Sequence, residues 1–235
     1  MAIDEALLHL RIQGKVDNTL RLYRFFPSAV TIGYFQKVRD AVNLEYLEKQ
    51  GIPFTRRITG GGSVFHDSNG EITYSITLPA IGDLSDVQES YRVLCSGIVY
   101  ALRRMGVRAE FVPINDVVVS SKKISGSAQT RRAGYLMQHG TLMYSTNLDI
   151  LEKALVAPSV KLQSKGVRSV RERVTTLKLV LGRDVDIDQL VKYLVEGFST
   201  ALHAEVYYDN LGDLELEYAA SLVAKYRDPA WIFKR

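Results

Sequence analysis

Three short stretches hold most of the groups in this chain that could do chemistry. In residues 56–67, "RRITGGGSVFHD", the triplet Gly60, Gly61 and Gly62 lies between an arginine pair and His66-Asp67. Glycine opens backbone conformations closed to other residues and lets another group come to contact distance. Successive bare N–H groups can cup an anion, and Arg56 and Arg57 place full positive charge beside them. No GK[ST] follows, so this is not a Walker loop, and the GxGxxG spacing is missing too. On the triplet alone, an anion cradle and a glycine-rich hairpin are equally good readings.

The second stretch, "SSKKISGSAQTRR", sets two lysines before a run of small residues. Strand alternation sends Lys123 and Ser125 to one face and Lys122 and Ile124 to the other. A lysine turned inward beside small residues makes room for a charged ligand. Taken alone, the lysine pair reads more simply as an edge-strand solubility device, and the glycine triplet tips the balance toward a ligand. The third stretch is "QHGTL", where Gln138, His139 and Gly140 interrupt an apolar strand. His66 and His139 have the commoner meaning of hydrogen-bonded core histidines. Neither has a serine or cysteine partner motif, and no GxSxG is present. The single cysteine, Cys95, falls on the inner stripe of a helix and reads as an inert thiol.

Elements of both kinds must position these groups. "AIDEALLHLRI" has helical spacing at Ile3, Ala6, Leu7 and Leu10. "TLRLYRFF" and "AVTIGYF" read as two strands joined by a turn at Pro27-Ser28. "NLEYLEKQG" is a short helix capped by Asn43 and stopped at Gly51. "PFTRRI", "GSVFH" and "GEITYSITLP" are strand-like. A long amphipathic helix follows, capped by Ser85 and ended at Gly106, burying Val87, Tyr91, Leu94, Cys95, Ile98, Ala101 and Leu102. Then come "AEFVP", one strand "DVVVSSKKISGSAQTRR" interrupted at residues 125–127, and "GYLMQHGTLMYS". Helices close the chain, beginning with one capped by Asn147. The expected fold is α+β: one domain over residues 1–235, with a mixed, mainly antiparallel sheet and flanking helices.

Composition fits this class. At 235 residues, 46% hydrophobic and 24% charged, the chain can bury a substantial core. One cysteine excludes an internal disulfide and any multi-thiolate metal site. The four histidines lack zinc-ligand spacing. A net charge of +4 mildly favours acidic partners or phosphates and is too small to argue for nucleic acid. No apolar run reaches bilayer length, and the N-terminus has early acids and no cleavage site, so no membrane partner and a cytoplasmic location are expected.

Taken in order, "DEALL", "RRITGGGSVFHD", "IND", "KKISGSAQ", "QHGTL", "KGVRSVRERVTTL" and "KYRDPAW" resemble the lipoate-protein ligase A family of the biotin/lipoate ligase superfamily, over essentially the whole chain. The resemblance implies the catalytic-domain fold of that superfamily. It also implies ATP-dependent activation of lipoate or octanoate to an acyl-adenylate, then transfer to a lysine of an acceptor. The acceptor would be the lipoyl domain of a 2-oxoacid dehydrogenase or the glycine-cleavage H protein. By the same resemblance Lys123 is the central catalytic lysine, and Arg56, Gly60, Gly61, Gly62, His139 and Gly140 line the acyl and phosphate pocket. Val64, Phe65, His66, Asp67, Asn115, Asp116, Ser125 and Gly126 lie near the nucleotide. Asp116 with Asn115 suits a Mg²⁺ or ribose contact, since Mg²⁺ takes oxygen ligands and few carboxylates. Fixed donors aimed at phosphate and carbonyl oxygens are what both half-reactions require. Val30, Ile32, Tyr34 and Phe35 are candidate walls for the acyl tail, and Lys165, Arg168, Arg171 and Arg173 for a basic capping loop.

The chain departs from the family pattern in two places. It ends after "DPAWIFKR" without the accessory domain of many bacterial members, so a separate small accessory protein is expected, as in some archaeal relatives. The strand that usually precedes "DEALL" is also missing. Two neighbouring activities share the pocket: an octanoyltransferase that draws on a carrier protein without ATP, and a transferase that uses a preformed lipoyl-adenylate. Some octanoyltransferases use a cysteine nucleophile before the lysine motif, where this chain has "VPINDVVVSS". A noncatalytic lipoate- or nucleotide-binding protein is the reading from another class. The intact Lys123, Asp116 and glycine triplet speak against it.

Overall fold

A computed structural model describes residues 1–156 and 169–235. Six antiparallel strands form the main sheet in the order β1 (Thr19–Tyr23), β5 (Glu71–Pro79), β9 (Tyr135–Met143), β8 (Lys122–Arg132), β7 (Asp116–Val119) and β6 (Glu110–Val112). A smaller sheet has β2 (Ala29–Ile32) at its centre, parallel to β3 (Phe54–Arg56) and antiparallel to β4 (Val64–His66). This is the expected mainly antiparallel α+β fold. The two runs flanking Pro27-Ser28 are not partners, however: β1 joins the main sheet and β2 the small one. The connection carries the chain from one sheet to the other.

One face of the main sheet is covered by α3 (Val87–Arg104) and α7 (Ile187–Leu202). These helices meet at glycines: a Cβ on Gly197 would fall 2.2 Å from the Gly97 carbonyl oxygen. Leu94, Cys95, Ile98, Ala101 and Leu102 are buried there as the helical period requires. Val87 is not; it is 48% exposed, and the cap is Asp86, whose carboxylate accepts from the Gln88 and Glu89 amides. Ser85 lies a residue too early, in a short 3₁₀ turn.

The opposite face receives α1 (Ala2–Ile12) and the loop between β3 and β4. The second core gathers Val30, Ile32 and Phe65 of the small sheet with α2 (Leu44–Lys49), α4 (Leu148–Ala154) and Ile232 of α9 (Pro229–Ile232). The remaining helices are α5 (Val170–Arg173), α6 (Leu177–Leu181) and α8 (Asp213–Arg227), the last packed on α1. Asn43 and Asn147 cap α2 and α4 as their sequences predict. No described helix is long and apolar enough to cross a membrane.

The lysine-bearing stretch differs most from expectation. It is two strands, turned at Ser120 and Ser121, which both have positive φ. β8 then runs unbroken through residues 125–127. A bulge shifts the register, so Val117 faces Ser125 while Val118 faces Lys123 and Ile124 is the extra residue.

Candidate active site

The bulge decides where Lys123 goes. Ser125 pairs with Val117 and Leu142, both in the main core, and its side chain is fully buried. Simple alternation would have sent Lys123 to that same face. With an extra residue between them, the Lys123 side chain instead folds over Gly126: a Cβ there would lie 2.3 Å from Nζ and 2.4 Å from Cε. Gly126 is therefore a cradle for the amine. Nζ sits 2.6 Å from Oδ1 of Asp116, the residue that faces Gly126 across the ladder. The lysine side chain keeps 37% of its surface exposed. Asn115 closes the corner, with its amide donating to the Ser127 carbonyl and its own carbonyl accepting from the Ser127 amide.

The glycine loop reaches the same face. A Cβ on Gly61 would lie 3.8 Å from the Cβ of Ala128. Ala128 is two residues beyond Gly126 on β8, hence on the same side and about 7 Å along the strand. The loop and the amine thus lie on the same face of β8. Gly61 needs its glycine, since its φ is +90°. The Phe35 ring packs on Gly60, 3.7 Å from where its Cβ would stand.

The two arginines before the triplet do not face that surface. Arg56 is fully buried, and its donors all go to carbonyls: Gly33, Tyr34 and Gln36 on one side, Trp231 and Ile232 on the other. It clamps the chain's last turn against the loop after β2, so its expected place in an acyl or phosphate pocket is corrected. Arg57, 3% exposed, lies under the triplet. Its Nη2 donates to the Gly60 and Gly62 carbonyls at 2.6 and 2.7 Å, its Nε to the Thr59 hydroxyl, and its Nη1 to Thr31.

Several other expected contacts are also turned away from the surface. His66 is buried, with Nδ1 on the Glu71 carboxylate at 2.7 Å, Nε2 on the Thr31 hydroxyl at 2.9 Å and the Phe25 ring stacked on its face. His139 is buried between the Thr59 hydroxyl at 2.7 Å and Asp4 at 3.1 Å. Phe65 belongs to the second core. Asp67 accepts from the Asn69 and Asn147 amides and so shapes a turn. Val64, half-buried, faces Thr31. Gly140 faces the main core, where a Cβ would strike the Tyr74 ring at 2.5 Å and the Gly126 carbonyl at 2.8 Å. Side chains of Ser125, Phe65, His66 and His139 are thus all buried. Of the suggested acyl walls, Val30 and Ile32 are fully buried in the second core, and only Tyr34 and Phe35 reach the surface.

Beside Lys123, the segment after α5 runs as a short parallel bridge, with Val174 opposite Lys123 and the Thr175 amide donating to the Lys123 carbonyl. Arg171 pairs with Asp149. Lys165 and Arg168 lie outside the described residues. Cys95 is fully buried on α3, under the far face of the sheet, and burial pushes its thiol up to about 11. Among the described residues no three His, Cys, Asp or Glu side chains converge as a metal site. Asp116, the carboxylate expected to contact Mg²⁺ or ribose, pairs with Lys123 here.

Sequence reasoning set Arg57 beside the triplet with Arg56 but missed its place under the loop, and it missed Thr59, Thr31, Asp4 and Glu71 as parts of this assembly. The signal was present in "RRIT" and "DEALL", yet which arginine turns under the loop depends on strand phase that the sequence does not print.

With this geometry in hand, comparison with known proteins places the chain. Residues 1–199 match the lipoyl protein ligase A/B catalytic domain. Proteins named octanoyltransferase LipM are similar along the whole chain. That of Brevibacillus brevis is 32% identical and that of Kyrpidia tusciae 34%, with 94% of each relative covered. Among solved structures, a bi-partite lipoate protein ligase from Thermoplasma acidophilum superposes with a TM-score of 0.85 at 33% identity, covering 99% of this chain and 89% of that one. A lipoate-protein ligase A bound with ATP gives 0.84 at 32%, covering 98% and 91%. The chain belongs to the lipoyl protein ligase A/B catalytic domain family, whose members named here are enzymes that transfer or ligate lipoyl-type acyl groups.

Proposed function

We propose that this chain transfers a medium-chain acyl group, octanoyl or lipoyl, to the lysine of a lipoyl domain. The observation that carries this reading is the Lys123 amine, cradled on Gly126 and held by Asp116, on the same sheet face as the Gly60–62 loop. A compact ammonium there can draw electron density from an acyl carbonyl whose oxygen rests on fixed donors. The acceptor lysine nitrogen attacks the carbonyl carbon and forms the amide. The bond from that carbon to the leaving group breaks, and the nitrogen's proton leaves to solvent.

Two donors fit this site. An octanoyl thioester, with a carrier thiol as leaving group, is favoured by relatives that carry the name octanoyltransferase. An acyl-adenylate made from ATP, with AMP as leaving group, is favoured by the ligases of similar fold, one of them solved with ATP. On the second reading, ATP supplies the activation, and Gly61 and Gly62 of the loop, with Asn115 and Asp116 beside the lysine cradle, would hold its phosphates and ribose. Mg²⁺ would then rest mainly on phosphate oxygens and water. Cys95, a neutral thiol sealed under the sheet, takes no covalent part with either donor.

The acceptor class follows the Thermoplasma system, described with its E2 lipoyl domain, and the glycine-cleavage H protein is the second acceptor that the family resemblance implies. That system is bi-partite, so a small accessory protein belongs to the ATP-dependent reading. A cytoplasmic location follows from these partners.

The test is to incubate the protein with an apo lipoyl domain and weigh the acceptor by mass spectrometry. One arm supplies an octanoyl carrier protein without ATP; the other supplies ATP, Mg²⁺ and octanoate or lipoate. Acylation in the first arm alone identifies the transferase and in the second alone the ligase. A wild-type protein that leaves the acceptor unmodified in both arms, with or without an accessory protein, refutes the proposal.

A further inference from the structure

Arg57 is a buried guanidinium with no carboxylate among the described residues in contact. Its hydrogen-bond partners are Thr59, Thr31 and the Gly60 and Gly62 carbonyls, all neutral. A buried cation is costly unless its charge is answered, and here the answer comes through two matching chains. In one, Arg57 Nε donates to Thr59 Oγ1, which is 2.7 Å from His139 Nε2, and His139 Nδ1 is 3.1 Å from Asp4. In the other, Arg57 Nη1 reaches Thr31 Oγ1, which is 2.9 Å from His66 Nε2, and His66 Nδ1 is 2.7 Å from Glu71.

The direction of each chain is fixed by its ends. A carboxylate can only accept, so Nδ1 of each histidine carries the ring proton. Where the ring carries that proton alone, Nε2 is an acceptor and the threonine hydroxyl donates to it; at His139 burial opposes a second proton. The same hydroxyl oxygen accepts from Arg57. Carboxylate, imidazole, hydroxyl and guanidinium therefore line up in the same order twice on a single cation.

That alignment acts on the loop. Arg57 draws the Gly60 and Gly62 carbonyls inward. In a trans peptide the following N–H points the opposite way, so the Gly61 and Ser63 amides point away from Arg57. Gly61 is exposed and Ser63 half-buried, and among the described residues neither amide donates a hydrogen bond. Two unpaired N–H groups two residues apart, on the loop whose Gly61 lies against Ala128 of β8, are the kind of donor an oxyanion site uses.

We infer that Arg57 is the positioning residue of this reaction, held by the Asp4–His139–Thr59 and Glu71–His66–Thr31 chains, and that the Gly61 and Ser63 amides it turns outward are the donors to the acyl oxygen. This rests on the acyl-transfer reading above and assigns it a second set of residues. Burial lowers Arg57 to about 10 and it stays charged at neutral pH, which the two chains require.

The experiment uses near-isosteric changes that keep the fold. Thr59→Val removes the hydroxyl at a buried site and leaves the volume nearly unchanged; Thr31→Val does the same in a strand that favours Val. Each is expected to lower kcat for acyl transfer by about 100-fold, the cost of a misplaced donor set, with KM for the acyl donor moved far less. Thr59→Ser, which restores the hydroxyl, is expected to recover transfer to within about threefold, since the donor geometry of an oxyanion site is restored. A second readout needs no substrate: the Gly61 and Ser63 amide resonances in ¹⁵N spectra should shift and exchange faster in Thr59→Val than in wild type or Thr59→Ser. Valine variants that are folded, transfer acyl groups at the wild-type rate and leave those resonances in place overturn the inference. If wild type itself modifies no acceptor while the resonances respond as stated, it is the acyl-transfer reading that fails and the positioning role of Arg57 that stands.

Discussion

Lys123 keeps 37% of its side chain exposed and meets one carboxylate, whereas Arg56 is fully buried and bonded to five backbone carbonyls. The difference separates chemistry from architecture more cleanly than charge does. Lys123→Ala should abolish acylation of the lipoyl domain in the mass-spectrometric assay and cost about 1 kcal/mol or less, because a half-exposed ion pair contributes little to folding. Lys123→Arg should not rescue it, since the planar guanidinium cannot settle on Gly126 as the ammonium does. Retained transfer in the alanine variant would remove Lys123 from the mechanism. Arg56→Met should do the reverse, lowering stability by about 3 kcal/mol as its buried carbonyls lose their donors. Denaturant unfolding measures this, and a change below about 1 kcal/mol would show that the clamp is dispensable. Cys95→Ala belongs to the same scale. With the thiol buried and held near 11, the variant should transfer as wild type does, and native protein at pH 8 should resist alkylation. A collapse of transfer in a folded Cys95→Ala protein would mean that the acyl group passes through sulfur after all.

β8 shows why a strand can be legible while its site is not. The sequence "KKISGSAQTRR" names the strand, its small residues and the lysine, all of which the structure keeps. What it conceals is the bulge at Ile124, a difference of one residue in pairing that reverses which side chain shares a face with Lys123. The same limit applies to "RRITGGG", where only strand phase tells Arg56 from Arg57. Glycine positions give this scale its test, because a methyl group meets something different at each. At Gly126 it would meet the mobile end of Lys123. Gly126→Ala should therefore cost under about 1 kcal/mol in stability, yet displace the amine and lower transfer by about 100-fold. At Gly197 the methyl would meet the backbone of α3, which cannot yield. Gly197→Ala should destabilise by about 2–3 kcal/mol through overpacking, with activity per folded molecule unchanged. If the two variants exchange these behaviours, the cradle at Gly126 is not what positions Lys123.

Across the whole molecule, composition and periodicity were enough to predict the α+β class, and they placed most core residues of α3. They could not predict why the acids of "DEALL" are buried, because their partners lie far along the chain. Glu5 receives the Lys225 ammonium at 2.7 and 2.8 Å and the Tyr226 hydroxyl, tying α1 to α8. Asp4 receives His139, Arg21 and Tyr23, tying α1 to the main sheet. These ties make stability depend on pH in a stated direction. Burial lowers His139, and Arg57 and the Met1 amino group act the same way, against the raising pull of Asp4. Native His139 thus stays neutral where an unfolded chain, titrating near about 6.5, takes up a proton. Stability is complete above about pH 6.5 and falls as the pH drops from there toward the native value. Burial works to raise Asp4, but the His139 hydrogen bond, the Met1 amino group and Arg21 outweigh it and hold the carboxyl well below the usual range. Its contribution is present above about pH 4 and is lost in more acidic solution. His9, lowered chiefly by burial, adds to the slope in the same window as His139. The melting temperature should therefore fall between pH 7 and pH 5 in wild type and fall less steeply in His139→Gln, which cannot gain the proton. Equal slopes in the two proteins would show that His139 is not the neutral, Asp4-bound imidazole on which the arrangement of the loop depends.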